Sequence, residues 1–274
     1  MKGGSSPRCP SFWTLAAGGG HSALVRRAAS VLALALAGWG CHDWEALSAG
    51  ADADVALCGG RAATTCDAAL EVCDGFDTGT LDAAWMKGSM GGQAMVSAAC
   101  PYRGDFSLAA EVDAVADGEA RRADAYIDLE ADGEPVYLRL FARAPDHLPA
   151  NSLKLASLIQ DAEFEGVVLR VDDGFVAVNN TVANHVAAST AAMPVDRWVC
   201  LELGIEPGSP GRVQVWIDGG SEPVLDRAEN TAAEPPIDRA HVGILGFDAT
   251  VADPAFALFV DEVAVGAERV GCGD

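Results

Sequence analysis

Two runs of this sequence space carboxylates as acid–base chemistry would need them. Alternate residues of an extended strand share a face. Asp128, Glu130, Asp132 and Glu134 would then line one side of one run, and Glu202 and Glu206 one side of Glu202-Leu-Gly-Ile-Glu206. Paired carboxylates of this kind cleave glycosidic bonds, one as acid and one as base or nucleophile. Gly133 and Pro135 end the first run as a strand, which turns its carboxylates into a solvated loop. The five histidines are scattered, His185 and His241 among them, and no Cys-x-x-Cys pair occurs. A zinc site is therefore not expected, and a lone imidazole is more often structural than catalytic. Tyr126, Tyr137, Trp198 and Trp216 are the aromatics within strand-like runs. Of these, Tyr126, Tyr137 and Trp216 are candidates for stacking on a sugar, although cores consume most aromatic rings.

Cysteine is the second informative residue type. There are eight: Cys9, Cys41, Cys58, Cys66, Cys73, Cys100, Cys200 and Cys272. Arg26-Arg27 precedes an apolar run from Ala28 to Ala37, followed by Gly38-Trp39-Gly40-Cys41. A basic start, a short apolar stretch and a small residue before the cut describe a secretory signal over residues 1–40. The run falls short of the roughly 20 apolar residues that span a bilayer. The long stretch before Val25 suggests that residues 1–24 precede the true start. Leu36-Ala-Gly-Trp-Gly-Cys41 resembles the lipobox of bacterial lipoproteins, which implies lipid on Cys41; the alternative is an ordinary signal peptide with Cys41 as a plain thiol. If Cys9 leaves with the leader and Cys41 carries lipid, six cysteines remain, an even number that suits disulfides in an oxidising compartment.

Charge narrows the partners. Four of the 18 basic residues precede Cys41, leaving 14 against 40 acidic residues, a surplus of 26. Such a surface repels phosphate backbones, so nucleic acid is not expected as a partner. It also repels anionic lipid heads, so membrane attachment is expected only through a lipid anchor.

The elements that must position these residues read as strands. Residues 41–57 are acidic and lack strand pattern, as a tether would. Residues 58–73 hold three cysteines, and residues 67–72 suit a helical turn. From residue 74 to 274 short apolar runs alternate with turn signals. Val136, Leu138, Leu140 and Ala142 fall on one face of their run. Asp173-Gly174 supplies the positive φ of a tight hairpin between Val167–Val171 and Phe175–Val178. Trp198–Glu206 and Arg212–Asp218 pair across the Pro207–Gly211 loop, and Val242–Phe247 and Phe256–Val265 supply the last strands. About ten or more strands without a helix predict two packed antiparallel sheets.

Cys73-Asp-Gly-Phe-Asp with Leu81-Asp-Ala-Ala-Trp85 resembles the opening of concanavalin A-like jelly-roll domains, the LamG and glucanase-like group. Arg103-Gly-Asp-Phe-Ser-Leu, Arg197-Trp-Val-Cys-Leu-Glu with Val215-Trp-Ile-Asp-Gly, and Phe259-Val-Asp-Glu-Val-Ala-Val continue the resemblance in order. It covers about residues 73–272 and implies an all-β, two-sheet antiparallel jelly-roll sandwich. First and last strands adjoin in such folds, which implies Cys73–Cys272, with Cys58–Cys66 and Cys100–Cys200 as the remaining bridges. The resemblance also implies a structural Ca2+ near the terminal strands, held by Asp261 with Asp77. The group's glucanases carry an Asp between two strand glutamates, and Glu202/Glu206 lacks it. Its alginate-lyase-like relatives carry Gln-Ile-His, of which Leu158-Ile-Gln160-Asp161 keeps Gln160 and lacks the histidine.

The sequence thus predicts an exported protein, lipid-anchored at Cys41 in the outer membrane or at the cell surface or otherwise secreted, whose sandwich is a non-catalytic lectin-like module for glycan or a surface partner. A polysaccharide hydrolase or lyase and a structural envelope lipoprotein are the competing readings. A complete catalytic motif is absent from the sequence, and fold alone does not choose among them.

Overall fold

The computed structural model describes residues 69–273, except 115, 117, 118, 131, 151, 235 and 249–252. The leader, Cys41, the tether, Cys58 and Cys66 lie outside the described residues. The described residues form fifteen strands: β1 (Val72–Asp74), β2 (Met86–Met90), β3 (Gly92–Ser97), β4 (Ser107–Val112), β5 (Ala120–Asp128), β6 (Val136–Arg143), β7 (Leu153–Gln160), β8 (Glu165–Asp172), β9 (Phe175–Asn180), β10 (His185–Ala192), β11 (Val199–Glu206), β12 (Gly211–Ile217), β13 (Leu225–Glu229), β14 (Arg239–Asp248) and β15 (Phe256–Gly266). They form two antiparallel sheets. One runs β13-β12-β11-β6-β15-β4-β3, with β1 beside β15; the other runs β10-β9-β8-β7-β14-β5-β2. We call them the β11 sheet and the β14 sheet.

Alternation explains the layering. Leu138, Leu140 and Ala142 of β6, Leu201, Leu203 and Ile205 of β11, and Val242 and Ile244 of β14 point into one shared core and are fully buried. Burying each such aliphatic side chain stabilises the fold by about 1.5–3 kcal/mol. The intervening residues point outward, and this alternation decides where chemistry can sit. Asp173 (φ 50°) and Gly174 (φ 82°) close the expected β8–β9 hairpin, with Asp172 paired to Phe175. The β11–β12 hairpin also forms, from Leu201 opposite Ile217 to Glu206 opposite Arg212.

Three sequence expectations are corrected. Val72, the last residue of the expected helical turn, instead pairs with Val265 in β1. First and last strands do adjoin, but Cys73 lies opposite Ala264 and does not bridge Cys272. Cys272 is bonded to Cys200, which also excludes the Cys100–Cys200 bridge. Cys73 and Cys100 are each in a disulfide as well. The physical reason is the path taken after β15: the chain turns back over the outer face of β11 and brings Cys272 to Cys200.

Candidate functional site

The central polar cluster lies on the outer face of the β14 sheet. In β5 every second residue is polar and faces outward: Arg122, Asp124, Tyr126 and Asp128. Between them Ala123 and Ala125 enter the core, with Ile127 packed against it. In β14 the same alternation turns Arg239 and His241 outward while Ala240 and Val242 face the core. Register then builds a row. Met86, Tyr126, His241, Ser157, Val168, Asn179 and Val186 are successive cross-strand neighbours, one from each strand of the sheet. His241 and Ser157 stand at its centre.

His241 is fixed on both sides. Its Nδ1 lies 2.8 Å from Asp124 Oδ2. An ionised carboxylate only accepts, so Nδ1 carries the proton and donates it. Tyr126 stacks on the imidazole with ring centroids 5.0 Å apart, and the Arg239 guanidinium lies 4.8 Å from the Tyr126 ring centre. Arg122 adds donors to Asp124 from Nε and, at 2.9 Å, from Nη2. Burial pushes the Asp124 carboxyl up, but hydrogen bonds from His241 and Arg122, with the charge of Arg122, outweigh it and hold it below the usual carboxylate range. Gly88 makes this packing possible, because a Cβ there would lie 2.1 Å from Asp124 Oδ1.

Two atoms of this row have no hydrogen-bond partner in the protein: His241 Nε2 and Ser157 Oγ, both buried. An unsatisfied buried polar atom costs about 1–3 kcal/mol, so a pair of them at the centre of a polar face calls for a functional explanation. With Nδ1 committed to Asp124, Nε2 of a neutral imidazole has a lone pair to accept a proton. Nε2 has no solvent contact in this conformation, so a substrate must displace side chains around it. The arginines are held by aspartates: Arg239 donates to Asp128 at 2.7 Å and pairs with Asp161, and Arg122 pairs with Asp124.

The residues singled out from sequence fall into separate places. Tyr126 belongs to the His241 row. Tyr137 and Trp216 lie on the outer face of the other sheet, 6.3 Å apart between ring centres, with Trp216 buried. Glu202 is fully buried there and accepts from Arg269 Nε at 2.6 Å and from the Gly271 amide at 2.8 Å. Glu206 ends β11 opposite Arg212. Gln160 ends β7, where its Oε1 accepts from the Glu163 amide at 2.7 Å. The structure therefore does not bring Glu202, Glu206 and Gln160 together with His241.

Asp77 and Asp261 do approach each other around Gly75, where a Cβ would lie 3.3 Å and 3.9 Å from their respective oxygens. Asp261 Oδ2 accepts from the Tyr102 and Arg103 amides, and Oδ1 from the Glu262 amide. Asp77 accepts from the Asp105 amide. Glu262 faces the Arg139 guanidinium at 3.8 Å. Calcium needs six to eight oxygens, and no group of three or more Asp, Glu, His or Cys among the described residues has metal-holding geometry. Glu262 Oε1 also faces Gly75, 3.1 Å from a Cβ placed there, but these three carboxylates, with Asp261 held by amides and Glu262 facing a guanidinium, fall short of the six to eight oxygens of a calcium cage. Burial pushes Asp261 up to about 7 against the opposing amide hydrogen bonds. Its place in the fold explains it. One edge of β15 pairs with β4 as far as Val260 and with β1 from Val263 on, and Asp261 sits at the bulge between.

Sequence reasoning missed Asp124, Ser157, Arg122 and Arg239, and it read His241 as isolated. The available signal was the Arg-Ala-Asp-Ala-Tyr-Ile-Asp alternation of residues 122–128, where each outward position is polar.

Comparison with solved structures places the fold. This is a jelly-roll sandwich. The cellulose-induced protein Cip1 superposes with a TM-score of 0.57 at 15% identity, covering 74% of this chain and all of that one. An endo-β-1,4-glucuronan lyase from the fungus Trichoderma reesei gives 0.56 at 15%, covering 72% and 95%. A sialidase gives 0.52 at 12%, covering 73% of this chain and 19% of that one. At these identities the likeness shows the fold alone. No protein-family model matches the chain, and no curated protein matches it.

Proposed function

We propose that the outer face of the β14 sheet binds an acidic polysaccharide and cleaves it by β-elimination, with His241 as the base. The observation that carries this reading is the His241 side chain itself: Nδ1 held by Asp124, Nε2 unpartnered, Tyr126 stacked alongside. In a uronic acid the proton beside the carboxylate is the acidic one. His241 Nε2 takes that proton and the electron pair forms the new C=C bond. The adjacent C–O bond to the leaving sugar breaks, and the Tyr126 phenol protonates the departing oxygen. Arg239, on exchanging Asp128 or Asp161 for the substrate carboxylate, stabilises the charge that develops on it and offsets the acidic surface locally. Hydrolysis by two carboxylates is less well supported, because Asp124 is held ionised and no raised acid stands beside it. The glucuronan lyase of the same fold supports the choice of substrate class.

The test is incubation of the purified protein with a panel of polyuronates and neutral glycans, following the ultraviolet absorbance of the unsaturated sugar end. Absorbance that grows with polyuronate and vanishes in His241→Asn supports the reading; none with any polyuronate sinks it. A second reading, a lectin-like face without chemistry, is favoured by the engagement of both arginines with aspartates. It predicts saturable glycan binding with no new absorbance. In either case we propose an exported protein anchored through lipid on Cys41, which globomycin sensitivity and mass spectrometry of the mature N-terminus would test.

A further inference from the structure

On the opposite face of the sandwich the segment after β15 lies across β11 and β12 and ends in the Cys200–Cys272 bridge. Its contacts converge on one patch. The Arg269 guanidinium lies 4.5 Å from the Trp216 ring centre. Arg269 Nε donates to Glu202 Oε2 at 2.6 Å, and Nη2 to the Gly220 carbonyl at 2.7 Å. The Gly271 amide takes the other Glu202 oxygen at 2.8 Å. Glu202 is fully buried, on the same face of β11 as Cys200, and directly across from Trp216 in register. Gly204 leaves the space between the rings: a Cβ there would lie 2.6 Å from Tyr137 and 3.2 Å from Trp216. Trp216 is 5% exposed, and its Nε1 has no hydrogen-bond partner in the protein.

An aromatic ring beside the plane, a buried carboxylate on Nε and a carbonyl on Nη2 of one planar cation form a recognition site and not only a packed end. The planar fork of Arg fits such a set, whereas the point charge of Lys does not. We propose that this patch is a guanidinium-binding site that the chain fills with its own Arg269, and that reduction of Cys200–Cys272 to two thiols by an external dithiol, itself oxidised to a disulfide, releases the segment and lets an arginine side chain of another polypeptide enter. The present occupant defines the ligand chemistry. The disulfide at Cys272, next in the chain to the Gly271 amide that binds Glu202, tethers Arg269 to the patch. Occupancy is therefore intramolecular and favoured at any protein concentration.

The first test keeps the bridge. Arg269→Ala in the full chain leaves a guanidinium-sized gap beside Glu202. Ethylguanidinium at millimolar concentration is expected to raise the melting temperature of this variant saturably, while ethylammonium does not and the wild type responds to neither. Equal responses to the two cations, or none to either, would overturn the proposal. The second test opens the segment with Cys272→Ser combined with Arg269→Ala. A peptide of residues 267–271 should then bind at least tenfold more tightly than its Lys-for-Arg analogue, read by tryptophan fluorescence, and adding Glu202→Gln should abolish the difference. Indistinguishable affinities of the two peptides would overturn it as well.

Discussion

Each sheet carries a buried aspartate on its outer face; burial pushes both carboxyls up, and their neighbours leave them shifted in opposite directions. Asp124 on the β14 sheet meets an imidazole and a guanidinium and is held below the usual range. Asp261 on the β11 sheet is pushed up to about 7 by burial, with the neighbouring Glu262 adding to it, against the hydrogen bonds of three amides. The faces around them differ in the same sense. The β11 face is covered by the chain itself, by residues 102–103 at Asp261 and by Arg269 to Cys272 at Glu202 and Cys200. The β11 face leaves Trp216 Nε1 unpartnered beneath Arg269, whereas at the centre of the β14 face two atoms of cross-strand neighbours that can accept a hydrogen bond, His241 Nε2 and Ser157 Oγ, lack protein partners. Groups that a fold satisfies internally serve its stability; groups it buries and leaves unpaired at the middle of a sheet are candidates for work on something else.

The largest effect that tests this contrast is on activity. His241→Asn is expected to lower polyuronate cleavage about 10²- to 10⁴-fold, the range of a lost acid–base group, while circular dichroism stays native. If stability collapses and turnover persists, the β14 face is another packed face and the contrast fails. Next in size, Cys272→Ser opens a bridge spanning 72 residues. Loop-closure entropy puts the loss at about 4 kcal/mol, measured by urea unfolding, with little change in cleavage.

The pH dependence of stability sharpens the comparison further. Between the ordinary carboxylate value near 3.8 and about 7, native Asp261 binds more protons than the unfolded chain. Its contribution to stability therefore falls as pH rises through that window. Asp124 has the opposite sign: its contribution is present above the ordinary value and is lost as pH falls below it. Urea unfolding from pH 3 to 8 should show Asp261→Asn removing the decline between pH 4 and 7, and Asp124→Asn flattening the acid limb. Loss of the same limb in both variants would contradict the two directions. The smallest effect concerns metal. With amides around Asp261 and Arg139 beside Glu262, calcium and chelators are expected to leave the melting temperature unmoved, which differential scanning fluorimetry checks.

Much of the fold was legible because the signals are local. Alternation in Val136-Tyr-Leu-Arg-Leu-Phe-Ala-Arg put Leu138 and Leu140 inside, and Asp173-Gly174 closed a hairpin, each within a few residues. Tyr126 was chosen from sequence for its ring alone. The partner that gives it a candidate role, His241, lies 115 positions away, directly across from it in register. His241 itself looked isolated because Asp124 is 117 positions distant.

The sequence by itself determined the strand periods, the turns and which residues of each strand share a face, because side chains alternate with a period of two wherever the backbone is extended. Only the tertiary structure decided which face lies beside which: that β14 runs between β5 and β7, setting His241 between Tyr126 and Ser157, and that Cys272 reaches Cys200 and not Cys73. Strand order and register are properties of the whole packed sandwich, and no short stretch of residues encodes them.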